Sequence, residues 1–196
     1  SDFFIHHGNF GGTNRTATIA APIVDNGTGA VRVIYASGAI EAAGVGNTNL
    51  TGISTYTGGT IINSGNIVIG AGGALGTGGI IVNNGFLTQS VAAIGIPSQA
   101  LTLNGGGVVT LAGNNSLTNL TFNNNGGAQP TLNPTGILTL TGATGITASV
   151  SSPGTISTIA GGTVDLNANA TYPISVGAAI INGVDVAPWQ AGLNIT

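Results

Sequence analysis

The chain has 196 residues, of which 35 are glycine, 4% are charged and none is cysteine. Its two basic residues and absent lysine exclude the basic patch that binding to nucleic acids or anionic membranes requires. Without cysteine there are no disulfides and no thiolate metal sites. Because ordinary soluble domains are about one-quarter charged, this composition favours a rigid, glycine-punctuated β architecture whose polar surface consists of Asn, Thr and Ser.

The opening segment of the chain is less regular than the rest. We expect residues 1–22 to form an irregular opening or cap segment, and residues 23–196 to form repeats of the same single domain, because no linker or change of composition divides them. Residues 189–196 show no convincing cap, and an open coil end exposes unpaired backbone. This predicts a segment of a longer chain or the subunit of a filament.

A phrase of about 20 residues recurs along the chain. Each copy is a short apolar strand that runs directly into Asn and Gly, as in residues 60–65, 80–85, 101–105 and 120–126. A fixed period of this length is typical of a solenoid, in which each repeat forms one coil and stacks on its neighbours. The sequence therefore predicts an all-β, single-stranded right-handed parallel β-helix with about nine or ten coils. A sandwich built from hairpins is the alternative.

Helices are not expected anywhere in the chain. No window shows the apolar recurrence of an amphipathic helix, and helix-forming Lys, Glu and Met are absent or scarce. The apolar runs are all too short for a membrane-spanning helix, so no membrane insertion is predicted.

The recurring Asn and Gly residues predict a structural ladder along the solenoid. Gly tolerates the positive φ of tight turns, and stacked Asn amides can bond to one another along the axis. The predicted Asn members are Asn63, Asn83, Asn104 and either Asn123 or Asn124, of which Asn124 is the principal candidate. The alternative is that these Asn side chains bind a ligand. The glycines that end each phrase recur at nearly equal intervals and are Gly65, Gly85, Gly105 and Gly126.

One segment carries a more specific motif. Residues 46–70 resemble the autotransporter-associated β-strand repeat, and the similarity continues through residues 73–85. The resemblance implies a right-handed parallel β-helix in the exported passenger of a bacterial surface protein, with adhesive or other activities. It implies an extracellular or cell-surface location and supplies no catalytic residues. Its core is formed by Thr55, Tyr56, Thr57, Gly58, Gly59 and Thr60.

Few residues could carry catalysis. Acid–base chemistry on a sugar needs two nearby carboxylates, and Asp165 and Asp185 are separated by one repeat length, so they could stack on adjacent coils. Two isolated turn aspartates are the simpler interpretation. His6 and His7 are adjacent in a predicted strand and point to opposite faces, which disfavours a shared metal ion. We expect no catalytic residues, no metal and no cofactor.

These observations predict a non-enzymatic structural module of a secreted bacterial surface protein: a stalk, an adhesin body or an extracellular filament element. A carbohydrate-active or glycan-binding β-helix is one alternative. An ice-binding solenoid is another, suggested by the pairs Thr16/Thr18, Thr55/Thr57 and Thr139/Thr141. The expected partners are other copies of the chain or neighbouring repeats of the same protein, together with cell-surface glycans or a host surface.

Overall fold

The structure is a computed structural model that describes residues 1–8, 16–37, 47–70, 75–92, 96, 98–125, 128–151, 154–167, 171–186 and 191–196. Every regular element in these ranges is a β-strand, and none of their residues forms a helix long and apolar enough to cross a membrane. The strands are β1 (Asp2–His7), β2 (Ala17–Ile19), β3 (Arg32–Ser37), β4 (Asn47–Leu50), β5 (Thr60–Ile62), β6 (Asn66–Ile69), β7 (Ile80–Val82), β8 (Phe86–Gln89), β9 (Gln99–Asn104), β10 (Val108–Leu111), β11 (Asn115–Asn124), β12 (Thr131–Pro134), β13 (Ile137–Leu140), β14 (Ile146–Val150), β15 (Ser157–Ile159), β16 (Thr163–Asp165), β17 (Ile174–Ile181), β18 (Val184–Asp185) and β19 (Leu193–Ile195).

The chain alternates between two sheets as it proceeds. Sheet A stacks β1, β3, β5, β7, β9, β11, β14 and β17 in that order, and sheet B stacks β2, β4, β6, β8, β10, β12, β15 and β19. Neighbouring strands of this stack are parallel. Because consecutive strands enter different sheets while all of them keep one direction, the polypeptide winds around a single axis. The fold is a β-solenoid, which confirms the predicted class and excludes the hairpin-built sandwich.

Two short extensions depart from this stack. Strand β13 pairs with the first residues of β11 and with β16, so it widens sheet A beside the main stack. Strand β18 pairs antiparallel with the end of β17, after a tight turn in which Asn182 and Gly183 both have positive φ.

The predicted number of coils is wrong. The solenoid has about five turns rather than nine or ten. From β4 to β14, each turn supplies one strand to sheet B and one to the main stack of sheet A. Within them Ile62 pairs with Val82, which is one repeat length further along the chain. Other paired residues lie further apart along the chain, since Asp2 pairs with Arg32, Leu120 with Ile146, and Ile146 with Ile174. Dividing the chain length by one repeat length therefore overestimates the number of turns.

The core consists of columns of apolar side chains that run along the axis. Side chains alternate between the two faces of a strand, so in-register parallel pairing places equivalent residues directly above one another. Five consecutive members of one such column in sheet A have no exposed surface: Tyr35, Ile62, Val82, Leu103 and Phe122.

Candidate functional site

The most regular polar feature is a row of Asn side chains on the outer face of sheet A, which we call the asparagine ladder. Asn83 Nδ2 donates to Asn63 Oδ1 at 2.6 Å, Asn104 Nδ2 to Asn83 Oδ1 at 2.7 Å, and Asn123 Nδ2 to Asn104 Oδ1 at 2.8 Å. Ser149 Oγ donates to Asn123 Oδ1 at 3.2 Å on the next turn. All amide donors point the same way along the axis, so the ladder has a direction.

The structure brings Asn63, Asn83 and Asn104 together but places Asn124 elsewhere. The fourth rung is Asn123, the other residue that the sequence allowed. Asn124 is the next residue of β11 and therefore faces inward, where it is fully buried and accepts a hydrogen bond from Thr155 Oγ1 at 2.8 Å.

Three of the glycines that end a phrase, Gly65, Gly85 and Gly105, lie beside the ladder. Gly65 and Gly105 have positive φ. A side chain on Gly85 would lie 2.6 Å from a methyl carbon of Ile62. Gly126 lies outside the described residues.

A second amide contact on sheet B was not predicted from the sequence. Asn66 Nδ2 donates to Asn47 Oδ1 at 2.8 Å, and Thr88 Oγ1 donates to Asn66 Oδ1 at 3.3 Å. The separation of Asn47 and Asn66 along the chain is close to the repeat length, so their spacing was the available signal. Asn47 and Asn66 are the first residues of their strands. The recurring phrase places Asn after a strand, so it does not include these two residues.

The motif residues 55–60 form the turn that leads from β4 on sheet B to β5 on sheet A, and Thr60 is the first residue of β5. The Tyr56 and Thr60 side chains are buried and their hydroxyl groups are hydrogen-bonded at 2.6 Å. Burial raises the pKa of the Tyr56 phenol. Backbone bonds reach both neighbours: Gly58 N–H donates to the Val31 carbonyl, and Thr77 N–H donates to the Tyr56 carbonyl, each at 2.9 Å. The motif therefore serves packing and turn formation.

Asp25 anchors this turn from the preceding coil. Its carboxylate accepts hydrogen bonds from Val31 N–H at 2.8 Å, from Thr57 N–H at 2.9 Å and from Thr57 Oγ1 at 2.8 Å. These bonds, with the two backbone donors foremost, hold the pKa of the Asp25 carboxyl below its usual value of 3.8. Asp25 and Thr57 are distant in the sequence, so the contact exists only because the coils stack.

We expect Asp25→Asn to change how stability depends on pH. A carboxylate whose pKa is lowered by folding stabilises the fold above its unfolded pKa, and this contribution is lost as pH falls through the folded pKa. At pH 6 the variant should be less stable than the wild-type chain, and the difference should narrow below about pH 3.8. Urea denaturation at pH 6 and pH 2.5, followed by circular dichroism, measures this difference.

The control for this prediction is ionic strength. Salt screens interactions between exposed charges. The exposed pair in which Arg32 donates hydrogen bonds of 3.0 and 2.8 Å to Asp2 is an interaction of that kind. In high salt the difference in stability between the wild-type chain and the Asp25→Asn variant should persist. A gap of constant size at both pH values, or one that salt removes, would contradict the assigned role of Asp25.

The residues considered for catalysis are not assembled into a site. Asp165 ends β16, which pairs with β13, whereas Asp185 lies in β18, which pairs with β17; the two strands are not neighbours. Asp165 caps its own loop by accepting from Asn167 N–H at 2.9 Å. In the described part of the chain, no group of three or more His, Asp and Glu residues could hold a metal ion.

The outer face of sheet A carries a groove of about 330 Å³ beside the ladder. Its floor is a column of small residues, Gly59, Gly79 and Ala100, and its wall includes Ile81 and Thr102. Arg32 is the ionisable residue of its lining, and its guanidinium is bound to Asp2. The groove therefore offers shape and apolar surface, and no acid–base pair among the residues that line it.

The predicted Thr pairs do not share one face. Thr18 lies on sheet B, Thr55 and Thr57 lie in the motif turn, and Thr139 lies on β13. The structure instead forms a different array on the outer face of sheet A, in which one column of Thr lies beside the ladder. Its three consecutive rungs are Thr102/Asn104, Thr121/Asn123 and Thr147/Ser149.

No protein-family model, curated protein or solved structure matches this chain.

Proposed function

We propose that this chain is a non-catalytic structural module of a secreted bacterial surface protein, serving as a stalk, an adhesin body or an element of an extracellular filament. The observation that carries the proposal is continuous stacking. Buried columns of side chains run through the regular turns. On the outer face, the asparagine ladder joins four successive turns by hydrogen bonds. In such a stack each turn is stabilised mainly by its two neighbours, which suits a rod that carries load.

The resemblance to the autotransporter-associated β-strand repeat supports the surface location. The residues that carry it make structural contacts in this chain. Tyr56 and Thr60 are buried and hydrogen-bonded to each other, and Thr57 donates a hydrogen bond to Asp25 on the preceding coil. A repeat whose characteristic residues form inter-coil contacts fits an exported passenger built from many similar coils. We propose an extracellular location on these grounds.

Contact with glycans or a host surface would use the outer face of sheet A. A carboxamide has two N–H donors and an oxygen with two lone pairs, and each ladder bond uses one donor and one acceptor site. The inner rungs therefore retain one donor and one acceptor site each, repeated at the coil spacing of about 4.8 Å. Such an array can bind hydroxyl-rich partners without any charge.

Two measurements test the structural role. Proteinase K should leave a fragment that includes residues 47–156 intact under conditions that digest the urea-unfolded chain, because continuous coils protect their backbone from local unfolding. Purified chain should also show no turnover of acidic polysaccharides. Rapid digestion of the native chain would contradict the rod, and turnover that Asp165→Asn or Asp185→Asn abolishes would establish an enzyme instead.

A further inference from the structure

Five Asn-Gly pairs occur in the chain, and the structure describes four of them. In such a pair the main-chain nitrogen of Gly can attack the carboxamide carbon of the preceding Asn, because Gly has no side chain to hinder the approach. The four described pairs begin at Asn26, Asn84, Asn104 and Asn182. One reactive sequence therefore occurs in several different surroundings.

The pair Asn26–Gly27 lies at the tip of an exposed tight turn. Asn26 N–H donates to the Gly29 carbonyl at 3.1 Å, and Gly29 N–H donates to the Asn26 carbonyl at 2.9 Å. Gly27 is the first central residue of this two-residue turn, a position that favours Gly, and has a φ of +60°. Asn26 and Gly27 are both exposed, and an added Cβ on Gly27 would have no neighbour within 4 Å among the described residues.

The two groups that would react at this turn make no hydrogen bonds. Of the residues that the structure describes, none bonds to the Asn26 carboxamide and none accepts from Gly27 N–H. The Gly27 nitrogen can therefore approach Asn26 Cγ without the loss of a hydrogen bond from either group.

The pair Asn104–Gly105 is held by the asparagine ladder. The Asn104 carboxamide donates to Asn83 and accepts from Asn123, and Gly105 N–H donates to the Asn123 carbonyl at 3.0 Å. All three bonds would have to break before the Gly105 nitrogen could attack. The ladder therefore protects its own asparagine from this reaction.

The pair Asn84–Gly85 is held by packing. Asn84 Oδ1 accepts a hydrogen bond from Gly106 N–H at 2.9 Å. Gly85 is buried, and an added Cβ there would lie 2.6 Å from a methyl carbon of Ile62. The main chain at Gly85 therefore has little room to rotate toward Asn84.

The exposed turn at Asn26 also positions the Asp25 carboxylate. Asp25 directly precedes Asn26, and its Oδ1 accepts from Val31 N–H beyond the turn and from Thr57 N–H on the next coil. The bond to Val31 closes a short loop that contains Asn26, Gly27 and the rest of the turn. A change in the main-chain length of this loop would alter the position of Asp25 relative to Val31 and Thr57.

We propose that Asn26 deamidates spontaneously in the folded chain and that the products weaken the contacts of Asp25. The Gly27 nitrogen loses its proton and bonds to Asn26 Cγ, the Cγ–Nδ2 bond breaks, and ammonia leaves with that proton. Water then opens the five-membered imide. Hydrolysis at Cγ leaves aspartate, whereas hydrolysis at the main-chain carbonyl leaves an isoaspartyl linkage, in which the main chain continues through Cβ and Cγ. This modification goes beyond the proposed structural role and does not depend on it.

Both products act against the hydrogen bonds of Asp25. Each adds a negative charge next to the Asp25 carboxylate, and a like charge disfavours its ionised form. The isoaspartyl product also lengthens the main chain of the turn, which disturbs the pairing of Asn26 with Gly29 and the loop that Asp25 closes onto Val31. A chain modified at Asn26 should therefore unfold at a lower urea concentration.

Peptide mapping after incubation in mildly alkaline buffer tests the site. Trypsin cuts at Arg15 and Arg32 and so releases residues 16–32, in which Asn26 begins the single Asn-Gly pair. Mass spectrometry measures deamidation in this peptide and, after chymotrypsin digestion, at Asn84 and Asn104. The urea-unfolded chain gives the reference rate of each pair without the structure.

The expected result is a difference between pairs in the native chain alone. Asn26 should react within about threefold of its rate in urea, because local opening of an exposed turn costs little free energy. Asn104 should react at least about tenfold more slowly than in urea, since three hydrogen bonds must break. A native chain in which Asn26 is slowed as strongly as Asn104 would overturn the proposal.

A second measurement follows the effect on Asp25. Asn182→Gly is the starting chain, because Asn182 and Gly183 also form an exposed turn and would add a charge of their own. Aged chain that anion exchange separates from fresh chain should show a lower urea midpoint. The matched control is Asn26→Gln, which would require a larger ring and should keep its midpoint through the same incubation.

The Asp25→Asn variant shows whether the effect passes through Asp25. In that variant, deamidation of Asn26 should lower the urea midpoint by much less than in the starting chain, because the carboxylate that the products disturb is already absent. An equal loss in both chains would overturn the assigned effect on Asp25. So would a starting chain whose midpoint is unchanged after Asn26 has been converted.

Discussion

Phe122→Ala is expected to lower the free energy of unfolding by about 3–5 kcal/mol, the usual loss for a fully buried aromatic residue. Phe122 has no exposed surface and lies in a core column between Leu103 and Ala148. Ala148 is already small, so the turn on that side has little side chain with which to fill the cavity. Because each turn depends on its neighbours, the loss should affect the turns on both sides.

Guanidinium denaturation followed by circular dichroism measures this effect, and the adjacent residue provides the control. Thr121 is in the same strand but faces outward, where its hydroxyl accepts a hydrogen bond from Thr147 Oγ1 at 3.1 Å. Thr121→Ala should cost about 1 kcal/mol. Equal losses for the two variants would mean that β11 does not present alternate residues to the core, and the stacked-column description would fail.

Gly59→Ala is expected to destabilise the fold by about 2–4 kcal/mol, from a strained backbone and a steric contact together. Gly59 has a φ of +89°, and an added Cβ would lie 2.7 Å from the Gly79 carbonyl oxygen. That oxygen belongs to the backbone of the next coil and accepts the Thr60 N–H bond at 2.9 Å. It therefore cannot move away without breaking a bond between coils.

Gly79→Ala is the matched control, since Gly79 ends the same Thr-Gly-Gly sequence one coil later. The nearest atoms to an added Cβ there are Ala100 O at 3.6 Å and Ala100 Cβ at 4.0 Å, which are ordinary contacts. Its stability should be unchanged or raised by up to about 1 kcal/mol, through a less flexible unfolded chain. Thermal unfolding of the two variants in parallel tests this; a Gly59→Ala protein as stable as Gly79→Ala would refute the turn assignment.

Gly59 and Gly79 differ in a way that the sequence does not reveal. Both occur in Thr-Gly-Gly and both precede a strand of sheet A. Their backbone angles and the atoms around them differ, because those depend on the coil that lies above each one. The contact of Asp25 with Thr57 has the same origin, since it joins residues that are distant in the sequence.

The spacing of the ladder residues could be predicted from the sequence, but the choice between adjacent Asn residues could not. The period placed Asn63, Asn83 and Asn104 at equivalent positions, and the structure bonds their amides in a row. It left Asn123 and Asn124 as alternatives, since choosing between them requires knowing which face of β11 points outward. The second amide contact, from Asn66 to Asn47, was missed because these residues begin their strands.

The sequence alone determined the all-β class, the coil length of the regular turns and the winding around one axis. These properties are local: each turn repeats the same strand and turn residues, and a neighbour at a fixed separation supplies its hydrogen bonds. Only the tertiary structure decided the number of turns and the members of the ladder. Those properties depend on loops of unequal length and on strand register, which are set when distant segments pack together.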